Sequence, residues 1–335
     1  MVQVLLTGGT GFIASHIIEK LLAKGHSVVT TVRSQEKGQK ILDAHQDAGN
    51  RLQVVIVPDM ASVGAFDEAV RVPGTEVVMH VASPCTLTYT DAQKDIIEPA
   101  LTGTNSLLRS IHRDAPQVRR VILTSSISAM LDVRNPATTF SEQTWNPADP
   151  ADIHLSKGMA YMIAKTLTER AAWDYVRVEK PPFDLVTVNP PLVLGPLMRH
   201  LATADSISLS NAALADAIRG QWKEEIPPAG PVNLWVDVRD VAAAHLAAME
   251  RGDASGKRLF TVGGRFSNAE IARILRDGAY SFHERLPGQE VKGDEGVKGI
   301  SYSSEETDKL LAIDWIPLEK TIADFVKSIQ DVDLK

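Results

Sequence analysis

Short apolar runs alternate with helix-like segments through the first half of the chain, and that alternation constrains the fold more than any other feature. Residues 2–6, 28–32, 52–57, 77–81 and 120–124 are β-branched and almost wholly apolar. Strands buried on both faces read this way, and such strands belong to parallel sheets. Between the first two lies a segment, residues 12–23, in which Ile13, Ile17, Leu21 and Leu22 recur on one helical face, closed by Gly25. Residues 35–45 form a second helix-like segment, and residues 185–188 and 258–262 add two more strands. The order predicts an α/β fold built on a doubly wound parallel sheet.

The second half is less regular. Residues 195–231 hold helical segments and a Pro/Gly loop, and residues 285–299 are rich in glycine and charge, as a surface loop is. Ser267-Asn268-Ala269-Glu270 is a capping-box pattern, Ser303-Ser304-Glu305-Glu306 another helix start, and Pro317 suits the first turn of a last helix. The reading is a nucleotide-binding domain over 1–190, with returning segments near 232–262. A smaller, mostly helical C-terminal lobe, residues 191–231 and 263–335, folds over it and binds substrate.

The formal net charge of -7 and the lack of a basic cluster argue against a nucleic-acid partner. Cys85 is the only cysteine, so no internal disulfide forms, which suits a reducing compartment. No apolar run is long enough to span a bilayer, and no leader pattern precedes the first strand. The expectation is a cytoplasmic protein, monomer or homodimer, with no membrane partner. The nine histidines show no metal-ligand spacing, so no metal site is expected.

Thr7-Gly8-Gly9-Thr10-Gly11-Phe12-Ile13-Ala14 joins the first strand to the first helix. Gly8 allows a tight turn, Gly11 lets backbone approach a pyrophosphate, and Ala14 is small enough for close helix–strand packing. The helix start then offers free N–H groups and the positive end of its dipole to phosphates, with Thr10, Phe12 and Ile13 completing the loop's contacts. An ordinary glycine turn is the alternative. The second strand ends Thr30-Thr31-Val32-Arg33-Ser34, with Lys37 one turn on, where NAD binders place an acid for the ribose 2′-OH. Arg33 and Lys37 suit a 2′-phosphate instead, so NADPH/NADP+ is the expected cofactor, although a solvated basic helix start reads the same. Asp59 either accepts from the adenine amino group or caps the next segment, with Met60 beside it. Val81, Ala82 and Ser83 end the fourth strand on the edge where open α/β sheets bind ligands.

Tyr161 and Lys165 are four apart in a helical stretch, residues 159–176, and so share a face. A phenol titrates near 10, and a neighbouring ammonium favours its phenolate. Such a tyrosine can act as general acid when a carbonyl becomes an alkoxide. Leu123-Thr124-Ser125-Ser126 closes the fifth strand, with Thr124 a candidate cofactor contact. Ser125 and Ser126 point to opposite faces, so one of them can hold the substrate oxygen beside Tyr161 and the other cannot. A capping hydroxyl is the other reading of Ser126.

These motifs, with Val81-Ala82-Ser83-Pro84, Asn189-Pro190, Gly195-Pro196 and Asp237-Val238-Arg239-Asp240-Val241 in order, resemble an extended short-chain dehydrogenase/reductase. Val32-Arg33-Ser34 and Trp145-Asn146-Pro147 resemble in particular the fungal aldehyde and ketone (methylglyoxal-type) reductases and the plant dihydroflavonol reductases. The resemblance runs from Val2 to about Val326. It implies a Rossmann-type fold, Ser126 as the catalytic serine, Lys165 on the nicotinamide ribose, and residues 190–193, with Pro190 and Val193, along the nicotinamide. Pro84, Ile127, Leu131 and Leu192 are the expected substrate pocket. Ile127, Leu131 and Leu192 stand where that branch can carry bulkier aromatics, and a small hydrophobic carbonyl compound is the expected substrate.

Other residues read more plainly. His80 reads as a satisfied interior histidine, Asn105 as either a packed amide or a water anchor, and Cys85 as a pocket neighbour without a nucleophile's setting. Asp237 and Asp240 read as capping, lobe-joining groups, and Trp222, Trp235 and Met198 as pocket or core. The expected activity is NADPH-dependent reduction of an aldehyde or ketone, with Tyr161 as proton donor. Two rivals stand. A sugar-nucleotide epimerase or dehydratase usually reads the ribose of NAD with an acid, which Arg33 opposes, and a dehydratase adds an Asp-Glu pair where Ile127-Ser128 stands. A non-catalytic NADPH-binding regulator tends to lose the Tyr/Lys pair kept here.

Overall fold

The computed structural model describes residues 1–84, 89–132, 134–135, 138–230, 232–294 and 299–334. Its centre is a seven-stranded sheet, all parallel. In chain order the strands are β1 (Gln3–Thr7), β2 (Ser27–Val32), β3 (Leu52–Ile56), β4 (Thr75–His80), β5 (Arg120–Thr124), β6 (Asp184–Val188) and, after two strands of another sheet, β9 (Arg258–Leu259). Their spatial order is β3-β2-β1-β4-β5-β6-β9. The chain starts in the middle, winds to one edge, and returns past β1 to wind to the other, which is the expected double winding. Strand β5 and the helix α1 (Phe12–Ala23) fall on the predicted residues. Gly25 takes φ +81 and its N–H caps the Leu22 carbonyl, the left-handed C-terminal stop that a glycine supplies cheaply.

Helices cover both faces. α1 packs with α7 (Val238–Glu250), and one core joins them to β1, β2, β4, β5 and β6 through Val4, Leu6, Ile17, Leu21, Val188 and Val241. On the other face lie α3 (Asp67–Val70), α4 (Glu98–Asp114) and α5 (Lys157–Glu179), with Leu5, Val78, Leu107, Ile111, Val121 and Ala172 in a second core. α2 (Gln35–Ala44) sits beside β2 and β3.

A small sheet, β10-β8-β7, stands apart. Here β7 (Leu192–Leu194) pairs parallel with β8 (Leu234–Asp237), and β8 antiparallel with β10 (Gly264–Arg265). With α6 (Ala212–Arg219), α8 (Asn268–Asp277) and α10 (Leu318–Ser328) it encloses a third core containing Leu214, Trp222, Trp235, Ile271 and Phe325. Trp222 and Trp235 are therefore core residues. α9 (Glu305–Leu311) packs on β9.

Buried polar groups tie these layers. Asp237 caps α7 by accepting from the Arg239 N–H, and also accepts from Thr321 on α10; Asp240 accepts from the Ile316 N–H. His80 bridges Thr7 and Thr104, and His245 bridges Thr124 and the Val241 carbonyl. Both rings are wholly enclosed. Burial, with the nearby Lys165 charge, drives His80 down to about 3, and burial drives His245 down to about 4. An unfolded chain takes up these protons below its ordinary histidine range, near 6.5, while the native state does not. Stability is therefore present above about pH 6.5 and declines as pH falls toward 4. Asp240, pushed up to about 6 by burial, works in the opposite direction over part of that range. With two histidines against one carboxyl, thermal melts at pH 7.5 and 5 are expected to show the lower midpoint at pH 5. Equal midpoints would contradict this.

Candidate active site

Every strand of the large sheet points the same way, so the segments leaving β1, β2, β3, β4, β5 and β6 meet along one edge. The glycine turn leaves β1 there. Gly8 has φ +77, and a Cβ on it would lie 3.1 Å from Ala82 just past β4. A Cβ on Gly9 would lie 2.2 Å from Thr30 Oγ1, so neither position accepts a side chain without movement. The turn is held by Gly8 N–H to Thr31 Oγ1, Gly9 N–H to the Thr31 carbonyl and Gly11 N–H to the Gly8 carbonyl. Gly11 is the N-cap of α1 and brings no capping side chain, which leaves the first helical N–H groups to an external acceptor. Thr10, Phe12 and Ile13 are partly exposed beside it. That backbone cradle fits a dinucleotide pyrophosphate.

Arg33 leaves the end of β2 and is exposed, as is Lys37 in the first turn of α2. Neither makes a side-chain hydrogen bond or ion pair among the described residues. Ser34 caps α2 through the Lys37 N–H, so both cations stand on a fixed backbone. Asp59 caps the turn after β3, accepting from the Ala61 N–H and Ser62 Oγ; the capping alternative is thus realised. Met60 packs onto α4 at Gly103, where a Cβ would lie 2.5 Å from its Cε. Thr7 Oγ1 accepts from the Val81 and Ala82 N–H groups, which fixes the strand end leading to Ser83 and Pro84, all four partly exposed. Cys85 lies outside the described residues.

The two serines after β5 separate cleanly. Ser125 Oγ is buried and donates to Glu169 Oε2 at 2.5 Å. Ser126 Oγ instead accepts from the Ser128 N–H at 3.1 Å, capping the short turn Ile127–Ala129. Capping uses a lone pair of the hydroxyl and leaves its proton for another acceptor. The Asn189 amide donates to the Ser126 carbonyl and the Ile127 N–H donates to the Pro190 carbonyl, so the end of β6 holds this segment.

Tyr161 and Lys165 lie one turn apart on α5. The Lys165 ammonium is 5.9 Å from the Tyr161 ring centroid and donates to the Thr124 carbonyl at 3.3 Å. That bond brings the helix face carrying both residues to the strand end carrying Ser126. The Thr124 hydroxyl is turned away to His245, so only the carbonyl of Thr124 faces this side.

The apolar candidates are less open than expected. Ile127 and Leu131 are buried among Met130, Phe140, Leu234 and Phe260, and Val193 lies in the core against the sheet. Leu192 is partly exposed and, like Phe12, packs against the third core. A groove of about 1000 Å³ lies elsewhere, between α6, residues 279–285 and the end of α10, and none of these site residues lines it. Among the described residues no group of side chains has the makings of a metal site, and no helix is long and apolar enough to cross a membrane.

Sequence reasoning passed over Glu169 and Arg258. Glu169 falls four residues after Lys165 on the same stripe of α5, which was a usable signal. Its partner Arg258 is distant in the chain.

Residues 4–263 match the NAD dependent epimerase/dehydratase family, and the chain belongs to it. It is 40% identical to the ketoreductase AzaE of Aspergillus niger, with 98% of this chain and 97% of that one covered. It is 35% identical to the cinnamoyl-CoA reductase CAD2 of Medicago truncatula, with 98% and 95% covered. The crystal structure of yeast methylglyoxal/isovaleraldehyde reductase Gre2 complexed with NADPH superposes with a TM-score of 0.87 at 28% identity, covering 98% of each chain.

Proposed function

We propose that this chain is an NADPH-dependent carbonyl reductase that converts an aldehyde or ketone to the alcohol. The observation that carries the reading is the bond from Lys165 to the Thr124 carbonyl, which sets the Tyr161 face of α5 against the strand end holding Ser126. The reductase relatives and the NADPH complex of Gre2 support the same assignment.

The glycine turn and the start of α1 would hold the pyrophosphate, and Arg33 with Lys37 the 2′-phosphate. Val81 to Ser83, Thr124 and Pro190 would border the rest of the cofactor. When bound, NADPH supplies a hydride to the carbonyl carbon. Ser126 donates its hydroxyl proton in a hydrogen bond to the carbonyl oxygen, and Tyr161 holds the same oxygen from the helix side. As negative charge gathers on that oxygen, Tyr161 transfers its phenolic proton to it. Lys165 stabilises the phenolate that remains and would also hold the nicotinamide ribose. Pro84 and Leu192 with the edges of Ile127 and Leu131 give the pocket an apolar wall, which favours a small hydrophobic carbonyl compound over a sugar nucleotide. In this reading the substrate lies between residues 1–190 and the part formed by 191–231 and 263–335. The single cysteine suits work in the cytoplasm.

Steady-state assays with an aldehyde and ketone panel test the assignment. Carbonyl-dependent oxidation of NADPH, faster than that of NADH, is expected. Tight NADPH binding without turnover of any member would favour a regulator instead.

A further inference from the structure

We propose that Glu169 is a positioning residue: its carboxylate, through Ser125 and Asn189, sets the Ser126 hydroxyl against the Tyr161–Lys165 face of the same helix. The inference rests on the reductase reading and adds to it the parts that keep the serine in place. Glu169 is wholly buried in α5, one turn beyond Lys165 and two beyond Tyr161. Oε2 accepts from Ser125 Oγ at 2.5 Å and Asn189 Nδ2 at 2.7 Å, Oε1 accepts from Arg258 Nε at 2.6 Å and Trp173 Nε1 at 3.2 Å, and Thr187 Oγ1 also lies 3.2 Å from Oε1. Donors converging on both oxygens of one group require an acceptor-only side chain, which a carboxylate is and an amide is not.

The consequence for Ser126 is geometric. Asn189 Nδ2 reaches both Glu169 and the Ser126 carbonyl, while Thr187 Oγ1 holds Asn189 Oδ1 at 2.8 Å. The helix therefore grips three successive residues at the end of β5: Lys165 on the Thr124 carbonyl, Glu169 on the Ser125 hydroxyl, and Glu169 through Asn189 on the Ser126 carbonyl. With the Ser125 hydroxyl held by Glu169 and the Ser126 carbonyl held by Asn189, the backbone on both sides of the Ser126 side chain is fixed.

Arg258 completes the device. It balances the Glu169 charge, donates to the carbonyls of Glu142 and Thr144, and lies 3.8 Å from the centroid of the Trp145 ring. Asn146, next along, donates to the Ser128 carbonyl just past the reactive serine. The Trp145-Asn146-Pro147 segment thus supports the serine turn from beneath, which gives those residues a physical task.

The test compares Ser125→Ala, Ser125→Thr, Thr187→Val and Ser126→Ala on a carbonyl compound that the wild type reduces. Rates are counted per NADPH-binding site, so that unfolded protein does not enter. Ser125→Ala is expected to lower kcat about 10- to 100-fold, with KM and NADPH affinity close to wild type. Ser125→Thr, which keeps the hydroxyl, should restore most of kcat, and Thr187→Val, which removes the hydroxyl that reaches both Asn189 and Glu169, should lower kcat in the same direction. Unchanged kcat in both Ser125→Ala and Thr187→Val, or an equal loss in Ser125→Ala and Ser125→Thr, would overturn the positioning role. Full activity in Ser126→Ala would instead overturn the reductase mechanism beneath it.

Discussion

Replacing Tyr161 by Phe is expected to lower kcat between about 100- and 10,000-fold while NADPH affinity changes little. The substitution keeps the ring and removes only the phenolic proton that the proposed mechanism gives to the product oxygen. Lys165 keeps its bond to the Thr124 carbonyl, so the ammonium and the strand end stay where they are. The glycine turn, held by its own backbone bonds to Thr31 and Gly8, does not depend on the phenol. Loss of turnover with intact cofactor binding therefore isolates the proton step. A variant that reduced the carbonyl at the wild-type rate would show that the proton comes from elsewhere.

Arg33→Asp is expected to raise the KM for NADPH by about 10- to 100-fold, the loss of one charge-assisted contact to the phosphate, and to leave NADH use unchanged or improved. Arg33 is exposed and unpaired among the described residues, so its removal breaks no ion pair within them. Ser34 still caps α2, and the backbone course at the end of β2 is retained. The change in the NADPH-to-NADH ratio of kcat/KM is the quantity to measure. An unchanged ratio would mean that the cations at this helix start are a solvated surface and that specificity lies in other residues.

The parallel sheet could be read from the sequence because its strands are buried on both faces and therefore nearly all apolar. β5 is such a case, and the periodicity of α1 with its glycine stop fixed that helix as well. The 258–262 run failed as a full strand for a local reason. After Leu259 the Phe260 N–H donates to Thr307 Oγ1, and the chain then turns to pair as β10 with β8. The small sheet itself passed unnoticed because strands of two to four residues are too short for alternation to show. At Ser267 the capping hydroxyl does accept from the Glu270 N–H, as the pattern implied.

The groups proposed to react can be read as Tyr-x-x-x-Lys and a strand-end serine, since each is local. The choice between Ser125 and Ser126 cannot be read, on spacing alone. It depends on Glu169, which binds Ser125 across 44 positions, and on Arg258, a further 89 beyond Glu169. No periodicity links such residues; only the packing of α5 against β5, β6 and β9 brings them together. Asp237, read as a capping and joining group, does both, and Asp240 joins α7 to the segment before α10.

The most direct measurement uses NADPH carrying deuterium on both faces of its nicotinamide C4, incubated with the protein and a carbonyl compound from the panel. Mass spectrometry of the product then shows where the label goes. The account predicts an alcohol with one deuterium on the former carbonyl carbon and an equal amount of NADP+. The NADP+ formed keeps the second deuterium; turnover that puts no deuterium on the carbinol carbon of the alcohol would contradict the account.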